Sequence, residues 1–355
     1  MISGSPTTSY VPEIARNPPV SRYASRFTNP QGPDDERPTA LEIVQDEEML
    51  GMLEDKVILI TGATSGIGIE TARALKATGA TIFITARDSE KGRKTVEDLL
   101  SGEEDKTKIQ LLVVELGSLD SVRNAVKEFL RRSDRLNILI NNAGIMGCPE
   151  TKTVDGFERQ FQTNHLSHFL LLNLLLPTLL SSSTPSFPSR CINVSSNGHH
   201  NGPATPPYAP TPGEYDPWIY YGASKTANIW MANQLSRLYA PRILGYSLMP
   251  GGIDTGLSKY VPEEMVAFLR SDETTSRWLK SPEQGAATTV WAALSKDLPK
   301  FRAGLYLSSC AVAGPLVEGI PYHEGWKSWA YDKEREERLW KDSLAMVGIK
   351  DGIVE

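Results

Sequence analysis

From Val57 onward, short apolar runs alternate with longer amphipathic stretches. Val57-Ile58-Leu59-Ile60 has no polar interruption, which is the pattern of a strand buried on both faces of a parallel sheet. A helical pattern runs through Glu70 to Thr78. The alternation then repeats as strand Thr81 to Thr85, helix Ser89 to Leu100, strand Ile109 to Val114, helix Leu119 to Leu130 and strand Ile138 to Ile140. Beyond Asn141 it continues with a long helix from Gly156 to about Leu180, strand Arg190 to Val194, helix Tyr221 to Tyr239, strand Leu244 to Leu248, helix Pro282 to Ala293, and a last strand near Gly304 to Leu307. Such alternation builds βαβ units, and their right-handed crossovers put helices on both faces of the sheet. The predicted fold is α/β, a single doubly wound parallel-sheet domain of Rossmann type.

The flanks read differently. Residues 1–40 are polar and rich in proline, include Asp34-Asp35-Glu36, and lack the apolar content that would repay ordering, so a flexible tail is expected. Leu41, Ile43, Val44, Met49, Leu50 and Met52 suggest a short helix packed on a catalytic domain spanning 41–312. Within that domain, 198–219 carries six prolines between Gly198 and Trp218, too many for regular structure, and is expected to act as a substrate loop or lid. Residues 313–355 form a C-terminal extension in which Trp326 to Met346 is patterned as a charged helix.

Composition narrows the function. A chain of 355 residues, 40% hydrophobic and 23% charged, can bury a substantial core. With 37 basic and 43 acidic residues, a net charge of -6 and no basic block, it has no footprint for nucleic acid or for adsorption to a membrane surface. The most apolar run, Phe169 to Leu180, holds Asn173 and Pro177 and is shorter than a bilayer-spanning helix needs, while prolines interrupt the first 50 residues before any signal-peptide core can form. Cys148, Cys191 and Cys310 are too few and too scattered for a disulfide framework or a zinc knuckle. A cytoplasmic protein working on a small-molecule substrate, with no nucleic-acid or membrane partner, is the expectation.

The chemistry concentrates at strand ends. Thr61-Gly62-Ala63-Thr64-Ser65-Gly66-Ile67-Gly68 lies between a buried strand and a helix, where glycines allow the backbone to approach a pyrophosphate and the helix N-terminus offers free N–H groups. At the end of the second strand, Thr85-Ala86-Arg87-Asp88 places alanine where an acid would hold a ribose hydroxyl and puts Arg87 next to it, which favours NADP(H) over NAD(H). Tyr221 and Lys225, four residues apart, share a helix face, whereas the i+4 partner of Tyr220 is Ser224. A cation near Tyr221 would favour phenolate, and bringing its pKa from ~10 to ~7 takes about 4 kcal/mol, which a cationic nicotinamide and Lys225 could supply jointly. Ser195 and Ser196 close the strand ending at Val194, where a hydroxyl can bond a substrate carbonyl. Asn141-Asn142-Ala143-Gly144 closes the fourth strand, and Pro250-Gly251-Gly252-Ile253-Asp254-Thr255 closes the sixth, within reach of a carboxamide.

In this order, these motifs resemble the short-chain dehydrogenase/reductase family over about Lys56 to Leu307. The resemblance implies a catalytic set of Asn164, Ser196, Tyr221 and Lys225. It implies cofactor contacts from Gly62, Thr64, Ser65, Gly66, Ile67, Gly68, Arg87, Glu115, Leu116, Asn142, Ala143, Gly144, Tyr221, Lys225, Pro250, Gly251, Ile253 and Thr255. Asn142 to Met146, the Leu116 to Leu119 turn and Ser281 to Ala286 look most like its retinol-dehydrogenase and WW-domain-oxidoreductase branch, whose common membrane anchor is missing here. Glu115 stands where many members have aspartate, and the serine-to-tyrosine gap is widened by the proline-rich segment, so retinoid specificity is not carried over. The family's habit of forming dimers or tetramers implies a homo-oligomer, with Leu166 to Leu180 serving as core and subunit contact.

Other inviting residues have plainer readings. His199-His200 lack a carboxylate or cysteine at ligand spacing, so no metal is assigned. His165 and His168 read as core or interface residues, and Cys148 as a pocket-lining thiol without a neighbouring base. The expected activity is NADP(H)-dependent interconversion of a carbonyl and a secondary alcohol, with Tyr221 as general acid/base, Ser196 orienting the oxygen, Lys225 gripping ribose, and Asn164 holding a water that links Lys225 to solvent. Two rivals remain. One is a biosynthetic lyase, isomerase or cyclase that uses Tyr221 without net redox; the other is a nucleotide-sensing scaffold, which has no need of a tuned phenol.

Overall fold

The computed structural model describes residues 10–102, 105, 107–211, 213–319 and 324–350. Its strands are β1 (Val57–Ile60), β2 (Thr81–Ala86), β3 (Ile109–Val113), β4 (Ile138–Asn141), β5 (Ser189–Val194), β6 (Ile243–Met249), β7 (Gly252–Ile253), β8 (Leu279–Lys280), β9 (Leu305–Ser308) and β10 (Ala311–Val312). Eight of them form one sheet in the order β10-β9-β6-β5-β4-β1-β2-β3, parallel except for the terminal β9–β10 pair; β7 and β8 pair separately. Chain order reverses between β1 and β4. The crevice at their carboxyl ends is therefore the topological switch point at which such sheets bind ligands.

The uninterrupted apolar strands have a direct explanation. Ile58 and Ile60 belong to one core and Val57 and Leu59 to the other, because alternate side chains point to opposite faces and both faces are covered. The helices are α1 (Glu13–Arg16), α2 (Ala40–Asp46), α3 (Gly66–Lys76), α4 (Ser89–Leu99), α5 (Leu119–Arg132), α6 (Arg159–Phe161), α7 (Ser167–Ser182), α8 (Pro217–Tyr239), α9 (Glu263–Ser271), α10 (Glu273–Trp278), α11 (Pro282–Leu294) and α12 (Lys333–Met346). α2, α3 and α11 pack on one another, α5 packs on α7, and α12 lies along α8. The expected long helix runs from α6 through a wide turn at Gln162–Leu166 into α7; in that turn the Ser167 N–H reaches back five residues to the Gln162 carbonyl. Its composition would suit a bilayer span, but most of it lies inside the fold.

Two expectations are corrected. From Tyr10 onward the proline-rich segment is packed, not a flexible tail; residues 1–9 lie outside the described residues. Ala15 and Tyr23 are buried, and the Arg37 guanidinium, only 2% exposed, pairs with Asp35 (2.8 Å) and donates to the carbonyls of Gly32 (2.9 Å), Trp278 (3.1 Å) and Leu279 (2.5 Å). These distant acceptors repay the ordering that local composition could not. The C-terminal helix starts at Lys333 rather than Trp326, because the Asp332 side chain caps it, whereas Trp326 is drawn into a bridge with Pro315. The proline-rich segment near the site has no regular structure over the described residues of 202–216, as expected, and is anchored at two points. Tyr208 stacks on Phe161 (5.1 Å) and donates to Asp342 (2.8 Å), and Tyr215 donates to the Cys148 carbonyl (2.9 Å).

Candidate active site

Beyond β1 the chain turns through Thr61–Ser65 into α3. Gly62 and Gly66 have φ of +66° and +55°, a region that L side chains rarely adopt. A Cβ on Gly62 would lie 2.8 Å from Ala143 Cβ, and one on Gly68 would lie 2.3 Å from the Gly62 carbonyl oxygen, so the tight turn depends on both glycines. The Ser65 side chain makes no capping bond, which leaves the first N–H groups of α3 directed at the crevice beside Thr64 and Ile67. The Thr61 hydroxyl accepts the N–H groups of Asn142 (2.9 Å) and Ala143 (3.0 Å), and the Asn142 amide donates to the Thr61 carbonyl (2.8 Å). The Asn142-Ala143-Gly144 loop is thereby bolted to the glycine turn. Such a backbone-lined cradle fits a dinucleotide pyrophosphate.

Two further strand ends complete this half of the crevice. Arg87 is the first residue past β2; its side chain is 72% exposed and faces Glu115 at 3.8 Å, while Asp88 is committed to capping α4. Glu115 also accepts the Gly117 N–H (2.8 Å), and Leu116 is buried with its carbonyl accepting the Ser167 hydroxyl (2.5 Å). On the opposite side, Lys280 donates to the Pro250 carbonyl (3.3 Å), and its stem lies where a Cβ on Gly251 would fall. Thr255 lies 3.2 Å from the Cβ position of Gly66, and Ile253 and Ile67 both press on Gly285. The glycine turn and the Pro250–Thr255 loop therefore meet.

The four expected catalytic residues form a linked group, Asn164 and Lys225 at Gly144 and Ser196 and Tyr221 at Gly198. Ser196 follows β5, and its hydroxyl accepts the Gly198 N–H (3.0 Å). Tyr221, on α8, is 4% exposed, and Lys225 Nζ sits 5.5 Å from its ring centre, bonded to the Val194 carbonyl (3.1 Å). Asn164 lies in the wide turn, its amide nitrogen donating to the Ile145 carbonyl (2.9 Å) and the Ser224 hydroxyl (2.9 Å). A Cβ on Gly144 would stand 3.3 Å from both Asn164 Oδ1 and Lys225 Nζ. Tyr220 faces away and stacks on Tyr215 (5.2 Å).

The short chain dehydrogenase family pattern matches residues 56–266. This chain belongs to that family. It is 47% identical over 331 residues to "Short-chain dehydrogenase/reductase prx1" of Penicillium roqueforti, covering 93% of this chain and 96% of that one. Similarity to "Retinol dehydrogenase 11" of Homo sapiens is 36% over 307 residues, covering 84% and 87%. Among solved structures, the Pseudomonas aeruginosa RhlG/NADP active-site complex superposes with a TM-score of 0.57 at 27% identity, covering 74% of this chain and 98% of that one. The protein is thus an oxidoreductase of the short-chain dehydrogenase/reductase type.

In this short-chain dehydrogenase/reductase, burial dominates the electrostatics of the site. It pushes the Tyr221 phenol up to about 12, against the pull of the Ser196 hydrogen bond, and it brings the Lys225 ammonium down to about 8. The expected lowering of the phenol by Lys225 is therefore not met by the chain alone: the ammonium lies over the ring and bonds Val194. His165 and His168 are core residues, bonded to Ser343 (2.9 Å) and to Thr61 (2.9 Å) respectively. Cys148 is fully buried, and burial raises its thiol. His199 and His200 bond the carbonyls of Ser196 and Gly325, and no group of three metal-ligating side chains occurs among the described residues. Sequence reading missed Gly198, whose Cβ would lie 2.5 Å from Tyr221 Cε1, and the exposed apolar residues Met265 and Phe268 on α9. An apolar periodicity over 263–271 was available as a signal for α9; nothing local marked Gly198.

Proposed function

We propose that the protein is an NADP(H)-dependent oxidoreductase that interconverts a carbonyl and a secondary alcohol on a small, apolar substrate. The observation that carries this reading is the linked group of Asn164 and Lys225 at Gly144 and Ser196 and Tyr221 at Gly198, joined by Lys225 over the Tyr221 ring and lying one loop from the glycine cradle. The bound dinucleotide supplies or accepts hydride at the substrate carbon. Gly62, Gly66, Ile67 and Gly68 would hold its pyrophosphate, Asn142, Ala143 and Gly144 its adenosine side, Ile253 and Thr255 its carboxamide, and Lys225 its ribose. Ser196 orients the substrate oxygen. The Tyr221 phenol, protonated at neutral pH because burial holds it at about 12, delivers a proton to that oxygen in the reductive direction.

NADP(H) is favoured by Arg87, exposed at the end of β2, and by the likeness to a structure solved as an NADP complex. Arg87→Ala is expected to weaken NADPH binding by roughly 10-fold or more, the scale of a lost charge-assisted hydrogen bond, and to leave NADH unchanged; fluorescence titration of both cofactors checks this. An apolar substrate is favoured by Met265 and Phe268, exposed on α9, the helix that follows the Pro250–Thr255 loop. In a panel of ketones and aldehydes, Tyr221→Phe is expected to cut NADPH consumption by a factor on the order of 100 to 10,000. A wild-type rate in that variant overturns the reading.

A further inference from the structure

We propose that the backbone of the C-terminal segment 324–331 acts on the catalytic turn from outside it: through the imidazole of His199 it holds the turn that carries Ser196, which makes His199 a positioning residue. This inference rests on the roles given above to Ser196 and Tyr221. His199 is fully buried between two backbone groups; its Nδ1 lies 2.7 Å from the Ser196 carbonyl oxygen and its Nε2 lies 3.3 Å from the Lys327 nitrogen. A carbonyl can only accept and a backbone N–H can only donate. The ring must therefore be neutral with its one proton on Nδ1, and each end specifies the same tautomer independently.

The segment is well placed to act as a strut. Trp329 Nε1 donates to the His199 carbonyl (3.0 Å), and His200 Nε2 bonds the Gly325 carbonyl (2.7 Å), so the Asn197–Asn201 turn is gripped along its length. The segment is itself anchored elsewhere. Trp326 Nε1 donates to the carbonyls of Ala313 (3.1 Å) and Ala15 (3.3 Å), and Trp230 on α8 donates to the Trp329 carbonyl (2.7 Å). The segment that grips the Ser196 turn is thus itself tied to Ala15, to Ala313 and to α8. Releasing this grip loosens the Ser196 bond that holds the phenol down, so the phenol rises further. The other ionisable neighbours remain in place: Lys225 and Tyr306 face the phenol, and His200 faces His199.

Backbone geometry supplies a clean test. Lys327 has φ −78° and ψ 154°, which proline can adopt, and Trp326 before it is extended in its bridge with Pro315. Lys327→Pro in the full chain deletes the N–H and puts the ring Cδ where its hydrogen pointed, so the imidazole loses its donor and is pushed aside, whereas Lys327→Ala removes the ammonium and its pair with Glu318 (2.7 Å) but keeps the N–H. With decan-2-one and NADPH as the probe pair, Lys327→Pro is expected to lower kcat about 10-fold, leave the NADPH KM unchanged and shift the pH profile upward, while Lys327→Ala matches wild type. Thermal melts confirm that both variants are folded. Independently of turnover, ¹⁵N NMR of histidine-labelled protein should show His199 neutral with Nδ1 protonated, its signal assigned by His199→Asn. A protonated Nε2 at neutral pH overturns the inference, as does wild-type kcat and pH dependence in Lys327→Pro. If Tyr221→Phe is inactive while Lys327→Pro behaves as wild type, only this inference falls; if Tyr221→Phe is active, the functional reading falls with it. If decan-2-one is not reduced, the NMR result decides alone.

Discussion

The absence of one methyl group at Gly198 lets the Tyr221 ring pass beside the turn that carries Ser196. Gly198→Ala must displace the ring or the turn, and steady-state kinetics should show turnover reduced about 100-fold with cofactor affinity intact. Lys225 makes a different kind of prediction. Its folded pKa of about 8 lies below the value an exposed lysine has, so between these two values the unfolded chain binds more protons and stability rises with pH. Below about pH 8 the burial cost of the ammonium is fully present; above it the cost is relieved. Lys225→Met should therefore abolish activity and show no such rise, so its stability advantage over wild type is largest at pH 7 and shrinks by pH 9, as denaturant melts at the two pH values would report. The choice of Tyr221 over Tyr220 was legible from the four-residue spacing to Lys225. The proton affinity of the phenol was not, because burial belongs to the assembled core and not to any local spacing.

Elements formed where capping and period agreed. α11 opens with Ser281, Pro282 and Gln284 in a capping box, and α8 opens with Asp216 capping before Pro217, four residues earlier than the helix predicted from Tyr221. Apolar period alone missed that first turn. The wide turn at Gln162–Leu166 was also hidden, since an extra residue shifts the phase of a helical pattern and the helix that follows, buried on nearly all sides, has no clear phase to shift; such turns recur at functional sites, and this one presents Asn164. The N-terminal segment was misread for a related reason: its stability depends on Arg37 meeting acceptors some 240 residues away. Arg37→Met should leave Asp35 and several carbonyls without their donor and destabilise the protein by about 3–5 kcal/mol, measurable as a lowered midpoint in guanidinium.

Across the whole molecule, the C-terminal helix closes the α8 face. Glu336 of α12 is buried against Arg237 and Asn233, and Trp340 meets the ring of Phe169 edge-on at 4.9 Å. Truncation after Asp332 should uncover this apolar face and yield aggregated protein, which size-exclusion chromatography and loss of a cooperative melt would reveal. The order of strands and helices, the glycine cradle and the positions of Ser196, Tyr221 and Lys225 were all legible from residue order, because side-chain alternation, helical period and turn chemistry act over a few neighbours. The docking of residues 324–331 on the Ser196 turn, the packing of the proline-rich stretches and the ionisation of Tyr221 and Lys225 were decided only in three dimensions. These depend on which distant groups meet and how much water is excluded where they meet, and no short stretch of chain encodes either.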